Sequence, residues 1–322
     1  MKLVRFVTAA AEAAPRLGAL VQHDAAIVDL RRARVQQLVR DGALTERAES
    51  IAAAMFADTI ALIESGRQGL DVAQELLADA PAGATLAAAD AQLLAPLIPT
   101  RLRDFIAFET HMRNWLVNRN GLEMPPEYYE VPVFYKGNPR TVVGPDADVP
   151  WPPYSQEWDY ELELGVVLGS SAQDIPRAEA ESHIFGITCF NDFSARDIQR
   201  TEVAVGLGPA KAKDFATGLG PCLLTIDEVP DLYDIDMRAR VNGETWSTGN
   251  TSEIHWRFDA MIERMSASEP LVPGEILGSG TVGNGCGLEL GRLLQDGDVV
   301  ELEVGEVGVL RNRVVRPPGS SG

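Results

Sequence analysis

The sequence predicts an α+β protein in which a small N-terminal α/β domain precedes a larger, β-rich domain. Residues 30–78 are rich in alanine, leucine, glutamate and arginine, and their apolar residues recur at helical spacing. From residue 99 onward short apolar runs alternate with glycine and proline, which is typical of strands joined by turns. Residues 80–95 carry proline, glycine and a run of alanines, so we interpret them as a connector between the two parts.

The N-terminal part begins with short strands. They are predicted at 2–7, 16–21 and 25–29, and the last two are separated by His23-Asp24. We place the domain boundary near residue 95, so the predicted domains are 1–95 and 96–316. The tail 317–322 reads Pro-Pro-Gly-Ser-Ser-Gly and is predicted to be disordered.

The β-rich part combines many strands with few helices. Helices are predicted at 101–118, 176–184 and 254–268, and Pro176 occupies a first-turn position of the second. Strands are predicted at 131–135, 160–168, 186–190, 221–226, 235–241, 275–277, 298–303 and 309–315. Asn242-Gly243 lies between two strand-like runs and predicts a hairpin, and Asp296-Gly297 predicts a turn.

Composition and charge narrow the functional classes. Of the 322 residues, 45% are hydrophobic and 23% are charged, which indicates a globular protein with a sizeable core. The formal net charge of −19 argues against nucleic acid and against anionic membrane surfaces as partners. No apolar run approaches the length that spans a bilayer, and Glu12 and Pro15 interrupt the apolar N-terminal run. We therefore expect neither a transmembrane segment nor a signal peptide.

The cysteines and histidines indicate a reducing compartment and argue against a zinc site. The three cysteines, Cys189, Cys222 and Cys286, are far apart and form no C-x-x-C motif. This pattern favours a cytoplasmic protein with buried or incidental thiols. The four histidines have no paired spacing, so zinc bound by histidine or cysteine is not expected.

An acidic strand is the first candidate site. Residues 158–163 read Trp-Asp-Tyr-Glu-Leu-Glu, and their apolar and acidic side chains alternate as in a strand with one polar face. Glu161 and Glu163 then share a face with Cα atoms roughly 6.5–7 Å apart, close enough to converge on one cation. The alternative is a solvated acidic face. Asp192 follows 29 residues after Glu163 and adds a third candidate carboxylate.

Several ordered blocks together resemble the fumarylacetoacetate hydrolase family over residues 99–315. The blocks are Asp104 with His111, Val131 to Gly137, Asp159 to Glu163, Asn191 to Gln199, Lys213 to Phe215, Gly278 to Thr281 and Leu288 to Leu290. The block Asn-Asp-Phe-Ser-Ala-Arg-Asp-Ile-Gln after a Glu-x-Glu strand is the most specific of these. The resemblance implies a mixed β-sandwich roll of the fumarylacetoacetase C-terminal type and a homodimer formed by the β-rich domain.

The resemblance also implies a metal and a substrate class. It assigns Mg²⁺, or Mn²⁺ or Ca²⁺, to Glu161, Glu163 and Asp192, and adds Asp104 by position. Hard divalent ions prefer carboxylate oxygens, which agrees with this ligand set. Two neighbouring oxygens of a small anionic 2-oxo acid or 1,3-diketone acid would complete the coordination. The metal then polarises a carbonyl and stabilises the enolate that leaves when a C–C bond breaks.

His111 is the best candidate for a general base. Imidazole titrates near neutrality, so it can take a proton from water at working pH. An isolated histidine is more often an ordinary surface or core residue, but Asp104 lies seven residues earlier, two helical turns along one face. By position Glu289 resembles the family carboxylate that orients this base. Asn114 stands where smaller members carry a glutamate, which favours hydrolysis.

The remaining candidates bind the substrate or stabilise developing charge. Arg196, Gln199 and Lys213 match family positions that donate hydrogen bonds to the oxyanion, although Arg196 could instead pair with Asp197 or Asp192, and Lys213 could be solvated. Substrate-contacting positions are matched by Tyr135 and Thr281, and less closely by Arg119, whose spacing after His111 differs by one. The role of Lys136 stays open.

Three functions compete. The first is a metal-dependent hydrolase that cleaves a C–C bond in an acylpyruvate or 1,3-diketone acid. The second is a 2-oxo acid decarboxylase, hydratase or keto–enol isomerase on the same site, and the third is a non-catalytic metal-binding or scaffold protein. The pair His111–Glu289 favours hydrolysis, and no base or oxyanion residue is missing, which argues against the third. The acyl group is not identified; residues 112–130, with Trp115, Tyr128 and Tyr129, are the expected lid that selects it.

Other catalytic motifs are absent from the sequence. There is no G-x-S-x-G nucleophile elbow, and the glycine-rich stretch 278–291 matches neither phosphate-binding pattern. Glycine allows backbone N–H groups to approach a ligand closely, so we expect this stretch to form a loop beside the site.

Overall fold

The computed structural model describes residues 1–8 and 14–317. Its strands are β1 (Lys2–Thr8), β2 (Arg16–Val21), β3 (Ala26–Asp29), β4 (Thr85–Ala87), β5 (Ala91–Leu94), β6 (Leu102–Phe105), β7 (Phe134–Gly137), β8 (Val142–Val143), β9 (Asp148–Pro150), β10 (Trp158–Asp159), β11 (Leu162–Leu168), β12 (Ile184–Asn191), β13 (Ser194–Ala195), β14 (Thr217–Thr225), β15 (Asp236–Val241), β16 (Glu244–Asn250), β17 (Ile276–Gly278), β18 (Val299–Val304) and β19 (Gly308–Val315). The tail predicted to be disordered lies outside the described residues, apart from Pro317.

The helices are shorter and fewer in the second half of the chain. They are α1 (Leu30–Arg40), α2 (Thr45–Phe56), α3 (Thr59–Glu64), α4 (Gly66–Ala78), α5 (Glu109–Arg113), α6 (Arg177–Ala180), α7 (Arg196–Ala204), α8 (Phe258–Ser266) and α9 (Gly287–Leu290). A π-helical segment, Asn114–Arg119, continues α5. Together with the strands they form an α+β fold, as predicted.

Two open mixed sheets dominate the architecture. The larger has twelve strands along the order β4-β3-β2-β1-β14-β12-β11-β17-β6-β7, with β5 paired to β1 and β8 paired to β14. The smaller has the order β16-β15-β18-β19-β9. Buried side chains from both sheets, such as Leu164, Ile187 and Leu302, belong to one hydrophobic core. Neither sheet closes into a barrel within the described residues.

The N-terminal strands join the larger sheet directly. Lys2 and Leu3 of β1 pair with Leu224 and Leu223 of β14 in an antiparallel ladder. Helices α1–α4 cover this sheet, and Phe56 of α2 shares a buried cluster with side chains from the β-rich part of the chain. The ladder and the shared cluster tie the two parts together, and the division near residue 95 stays a prediction.

The predicted helix at 101–118 is wrong over its first half. Residues Leu102–Phe105 form strand β6, which pairs parallel with β17 and antiparallel with β7. All four residues of β6 are buried, so hydrogen bonds to strands distant in sequence override the local helical spacing. The helix begins only at Glu109. Helix α7 was not predicted, and the helices predicted at 176–184 and 254–268 are present but shorter.

The predicted hairpin at Asn242-Gly243 is confirmed. It joins β15 to β16, and both turn residues have positive φ angles of 53° and 80°. A two-residue turn of this kind matches the right-handed twist of the strands, and asparagine and glycine tolerate it best. The Asn242 side chain adds a hydrogen bond from the N–H of Val299, which ties the turn to β18.

Two stacked tryptophans connect the smaller sheet to strand β10. Trp151 directly follows β9, and Trp158 is the first residue of β10. The rings of Trp151 and Trp158 lie 3.8 Å apart, and both side chains are buried. We expect Trp151→Ala to lower the free energy of unfolding by about 3–5 kcal/mol, because it leaves a large cavity. Urea denaturation followed by circular dichroism measures this. Val309→Ala is the control, since Val309 is 40% exposed. A similar loss in the free energy of unfolding in this variant would contradict the stabilising role of Trp151.

Candidate active site

Four buried carboxylates converge on neighbouring strands of the larger sheet. Glu163 lies on β11, Glu161 just before it, Asp192 directly after β12 and Asp104 on β6. Strands β12, β11, β17 and β6 are consecutive neighbours, so these positions meet although they are far apart in sequence. One oxygen from each of the four lies within 4.8 Å of the others. The predicted convergence of Glu161 and Glu163 is confirmed, and a solvated acidic face is excluded because both are buried.

Two glycines make room for the carboxylates. Gly278 of β17 lies opposite Asp104, and a Cβ atom at this position would collide with Asp104 Oδ1 and lie 2.8 Å from Glu163 Oε2. Gly280 has a φ of +78°, which favours glycine, and its N–H donates to Glu163 Oε2 at 3.2 Å. The predicted close-approach loop is therefore present beside the cluster.

The burial and mutual repulsion of the four carboxylates favour binding of a cation. Burial, followed by repulsion from neighbouring carboxylates, raises the pKa of Asp104 and of Glu163 well above the ordinary range. Burial also raises the pKa of Asp192, whose buried Oδ1 has no hydrogen-bond partner among the described residues. Like charges this close stay ionised together only when a positive charge lies between them. An all-oxygen donor set with an unpartnered oxygen fits a hard divalent ion.

Two basic side chains already compensate Glu161. Lys213 Nζ donates to Glu161 Oε2 and to Asp192 Oδ2, and Arg196 Nη1 lies 2.8 Å from Glu161 Oε1. Although burial works against ionisation, Lys213 and Arg196 lower the pKa of Glu161. The alternative that Lys213 is solvated is wrong, because Lys213 is buried. The alternative that Arg196 pairs with Asp197 or Asp192 is also wrong, because it pairs with Glu161 and Asp159.

The predicted pair of His111 and Glu289 is formed. His111 Nδ1 lies 2.9 Å from Glu289 Oε2, and the other carboxylate oxygen accepts from Asn114 Nδ2 at 2.8 Å and from the N–H of Asn284 at 3.1 Å. Burial raises the pKa of Glu289, but the hydrogen bond and charge of His111 outweigh it, so the pKa is lowered overall. This leaves Nε2 of His111 free of Glu289. The argument that Asp104 and His111 share a helix face is wrong, since Asp104 lies on β6.

The other predicted residues surround the carboxylates. Tyr135 donates from its hydroxyl to Asp192 Oδ2 at 2.8 Å, and Thr281 donates to Glu163 Oε1 at 3.2 Å. Gln199 accepts from Arg196 Nη1 at 2.9 Å through its side-chain oxygen, which leaves its amide nitrogen to donate elsewhere. Arg119 lies further out and donates to the carbonyl oxygen of Leu288 at 2.7 Å.

Two cavities connect at His111. The inner cavity, of about 270 Å³, is lined by three of the four carboxylates, Asp104, Glu161 and Glu163. The other polar side chains in its wall are His111, Tyr135, Lys213, Gln199 and Thr281. The outer cavity, of about 900 Å³, shares His111, Glu161 and Gln199 with the inner one and extends to Arg119. The catalytic candidates therefore line one continuous cleft.

Of the three aromatic residues expected in the lid, Trp115 lines the outer cavity. Tyr128 and Tyr129 instead pack around His255, with ring centroids 5.4 and 5.5 Å from the imidazole. Trp256 fixes this arrangement by donating to the carbonyl oxygen of Tyr128 at 2.8 Å. Lys136 is 68% exposed and lies 3.8 Å from Glu269, so the structure gives it no place in the cleft.

Sequence reasoning missed the role of Asp159. Its buried carboxylate accepts from Arg196 Nε at 2.7 Å and from the N–H groups of Gly287 and Leu288 at 2.7 and 3.0 Å. It thus ties the base that compensates Glu161 to helix α9, which carries Glu289. The available signal for this role was the position of Asp159 in the Trp-Asp-Tyr-Glu block. A carboxylate in a buried strand needs a cationic or hydrogen-bonding partner.

Glu202 is a second residue that the sequence did not single out. Its carboxylate accepts from the N–H groups of Ala210 and Lys211 at 2.8 and 2.7 Å, which fixes the loop just before Lys213. Since Glu202 lies on α7, the same helix that begins with Arg196 also positions Lys213. No sequence signal identified this contact, because it depends on the path of the loop.

No helix among the described residues is long and apolar enough to cross a membrane. The three cysteines are buried and unpaired, as expected.

Comparison with known proteins places this site in a family. Residues 101–315 match the family described as fumarylacetoacetate (FAA) hydrolase, C-terminal. Human oxaloacetate tautomerase FAHD2A, a mitochondrial protein, is 35% identical over 185 residues, which are 57% of this chain and 59% of that protein. The match thus spans about three fifths of the relative.

Two solved structures share the fold along nearly the whole chain. Fumarylacetoacetate hydrolase from Exiguobacterium antarcticum superposes with a TM-score of 0.73 at 22% identity, covering 98% of this chain and 100% of that one. Maleylpyruvate hydrolase from Sphingobium sp. SYK-6 gives 0.70 at 22% identity, with the same coverage. With residues 101–315 matched, the chain belongs to the fumarylacetoacetate hydrolase family, whose members include tautomerases and hydrolases.

Proposed function

We propose that this protein hydrolyses a C–C bond in an acylpyruvate or a related 1,3-diketone acid. The observation that carries the proposal is the His111–Glu289 pair. His111 lines the inner cavity together with Asp104, Glu161 and Glu163, and Glu289 lies behind it in the wall of the outer cavity. A carboxylate-held imidazole next to a cation site is the arrangement that activates water. The inner cavity accommodates the small anionic oxo-acid end of the substrate.

The proposed cofactor is Mg²⁺, with Mn²⁺ or Ca²⁺ as alternatives. Asp104, Glu161, Glu163 and Asp192 would hold the ion, since they supply the oxygen ligands that these cations prefer. When bound, the ion would polarise the carbonyl oxygens of the substrate and offset the negative charge of the cluster and of the oxo acid.

The residues of the chain divide the remaining work. His111 Nε2 takes a proton from water, and the hydroxide adds to the acyl carbonyl carbon while Glu289 balances the imidazolium charge. The C–C bond then breaks, its electron pair leaves with the neighbouring carbon, and His111 returns the proton to that carbon. The products are a carboxylic acid and a 2-oxo acid. Lys213 and Gln199 donate hydrogen bonds to the oxygen that becomes negative.

The other polar residues hold the reactants in place. Arg196 forms ion pairs with Glu161 and Asp159 and so holds these two carboxylates in place. Its proposed second role is to stabilise the oxyanion. Tyr135 and Thr281 bind the oxo-acid end from the wall of the inner cavity. Arg119 contacts the substrate from the outer cavity.

A keto–enol tautomerase is the second candidate, favoured by the 35% identity to a protein named oxaloacetate tautomerase. The same imidazole would remove a proton from carbon and return it to oxygen, without adding water. A decarboxylase or hydratase would use the same cavity. Purified enzyme with Mg²⁺ should be screened against acylpyruvates, diketone acids and oxaloacetate, with identification of the products. Cleavage of an acylpyruvate supports the hydrolase, and exclusive interconversion of oxaloacetate forms contradicts it.

The cation site is tested by removing one charge at a time. We expect Glu161→Gln and Glu163→Gln to weaken Mg²⁺ binding at least about 100-fold, because even partners of metal ligands contribute 10–100-fold. Calorimetry measures the affinity, and EDTA should inactivate the wild type reversibly. Glu306→Gln is the control, since Glu306 is exposed and is not a member of the cluster. Unchanged affinity in both cluster variants would exclude the site.

The base is tested by a double-mutant cycle on His111 and Glu289. His111→Ala should lower kcat by about 10²–10⁴-fold with Mg²⁺ binding intact. Glu289→Gln should cause a smaller loss, and the double variant should be little worse than His111→Ala, because the two residues act as a unit. Near wild-type hydrolysis by His111→Ala would show that another group activates the water.

We further propose that the protein is a homodimer formed through its β-rich part, as the family resemblance implies. Sedimentation velocity at micromolar concentration should give a species of twice the chain mass of 34.8 kDa. A single species at the monomer mass would refute the dimer without affecting the proposed chemistry.

A further inference from the structure

The outer cavity is larger than the reacting part of the proposed substrate requires. The inner cavity of about 270 Å³ is already lined by the catalytic candidates His111, Gln199 and Lys213, whereas the outer one measures about 900 Å³. Ligand sites bury most of the surface of their ligand, so a space of this size indicates a sizeable group. An acetyl group alone would leave most of it filled with water.

Apolar side chains from three elements line the far wall of the outer cavity. Trp115 comes from the π-helical segment, Val203 from α7 and Leu288 from α9, and all three also line a third cavity of about 400 Å³ that reaches Leu122. Val203 is 42% and Leu122 is 55% exposed. Covering exposed apolar surface is favourable, by about 25 cal/mol for each Å² removed from water. The wall therefore favours an apolar ligand.

The cations near this wall are engaged with protein oxygens. Arg200 forms two hydrogen bonds with the carboxylate of Glu157, at 2.6 and 2.7 Å. Arg119 directs Nη1 to the carbonyl oxygen of Leu288. Arg196 is buried on acidic partners, as described above. Arg196 and Arg200 are thus compensated by carboxylates of the protein, whereas Arg119 keeps further donors for the proposed contact with the substrate. The pairing of Arg196 and Arg200 favours an apolar body in the cavity over a second carboxylate.

We propose that the substrate carries an apolar acyl group larger than acetyl, and that Trp115, Val203 and Leu288 select it. This inference rests on the proposed function, because the oxo-acid end is assigned to the inner cavity. The shared residues His111 and Glu161 then lie where the two parts of the substrate meet, at the bond to be cleaved.

Binding of saturated 2-oxo acids tests the proposal without hydrolysis, since these compounds have no second carbonyl to cleave. In the presence of Mg²⁺, calorimetry should show at least tenfold tighter binding of 2-oxooctanoate than of pyruvate, because an added methylene in an apolar site is worth roughly fourfold or more. Equal affinity for the two acids would overturn the proposal. Tighter binding of the dicarboxylate of the same length, 2-oxooctanedioate, than of 2-oxooctanoate would also overturn it.

Two exposed valines provide a matched pair of variants. Val203→Trp should occupy part of the outer cavity beside its apolar wall and lower the affinity for 2-oxooctanoate at least tenfold more than the affinity for pyruvate. Val205→Trp is the control, because Val205 is 76% exposed and does not line the cavity. Circular dichroism should show that both variants are folded. Equal effects of the two substitutions would contradict the role of Val203.

Turnover separates this proposal from the proposed function. Hydrolysis of acetylpyruvate combined with a flat dependence of affinity on chain length would refute the apolar acyl site alone. Failure to hydrolyse acetylpyruvate and its longer homologues, combined with a steep dependence on chain length, would refute the hydrolase and leave the binding site standing.

Discussion

The burial of four carboxylates in one small volume is the constraint on which the rest of the site depends. A buried carboxylate is costly to ionise, and four that lie within 4.8 Å of one another repel as well. The protein answers with Lys213, with Arg196 and with the N–H of Gly280, all directed at members of the cluster. These contacts leave Asp192 Oδ1 without a partner among the described residues, which is the position that a cation would satisfy.

The same constraint explains why distant segments of the chain are locked together. Asp159 holds Arg196 on one side and the backbone of α9 on the other, so the compensation of Glu161 and the placement of Glu289 share one buried anchor. Glu202 connects α7 to the loop of Lys213 in the same way. Because such contacts are made in a low dielectric, loss of one partner leaves a charge uncompensated. The positions of the carboxylate cluster and of the His111–Glu289 pair therefore depend on each other through Asp159.

What the sequence could predict follows from how local each signal is. Alternation in a strand placed Glu161 and Glu163 on one face, and the resemblance paired His111 with Glu289. Strand β6 was missed because its pairing partners, β7 and β17, lie about 30 and 170 residues away along the chain, and local spacing there imitates a helix. The anchoring by Asp159 was missed for the same reason, because the backbone groups that it holds belong to α9.

The carboxylate cluster does not by itself choose between hydrolysis and tautomerisation. Both reactions place negative charge on an oxo-acid oxygen, so a cation held by the cluster would serve either one, and the proposal of hydrolysis rests on the imidazole that Glu289 holds. They differ in whether water occupies the space beside the imidazole. His111 lines both cavities, and the outer cavity brings solvent to it unless a ligand covers the apolar wall. A small oxo acid leaves that wall wet, whereas an acyl group that fills it admits only the water needed for cleavage. In the proposed hydrolysis, an acyl group that fits the outer cavity would therefore control how much water reaches His111.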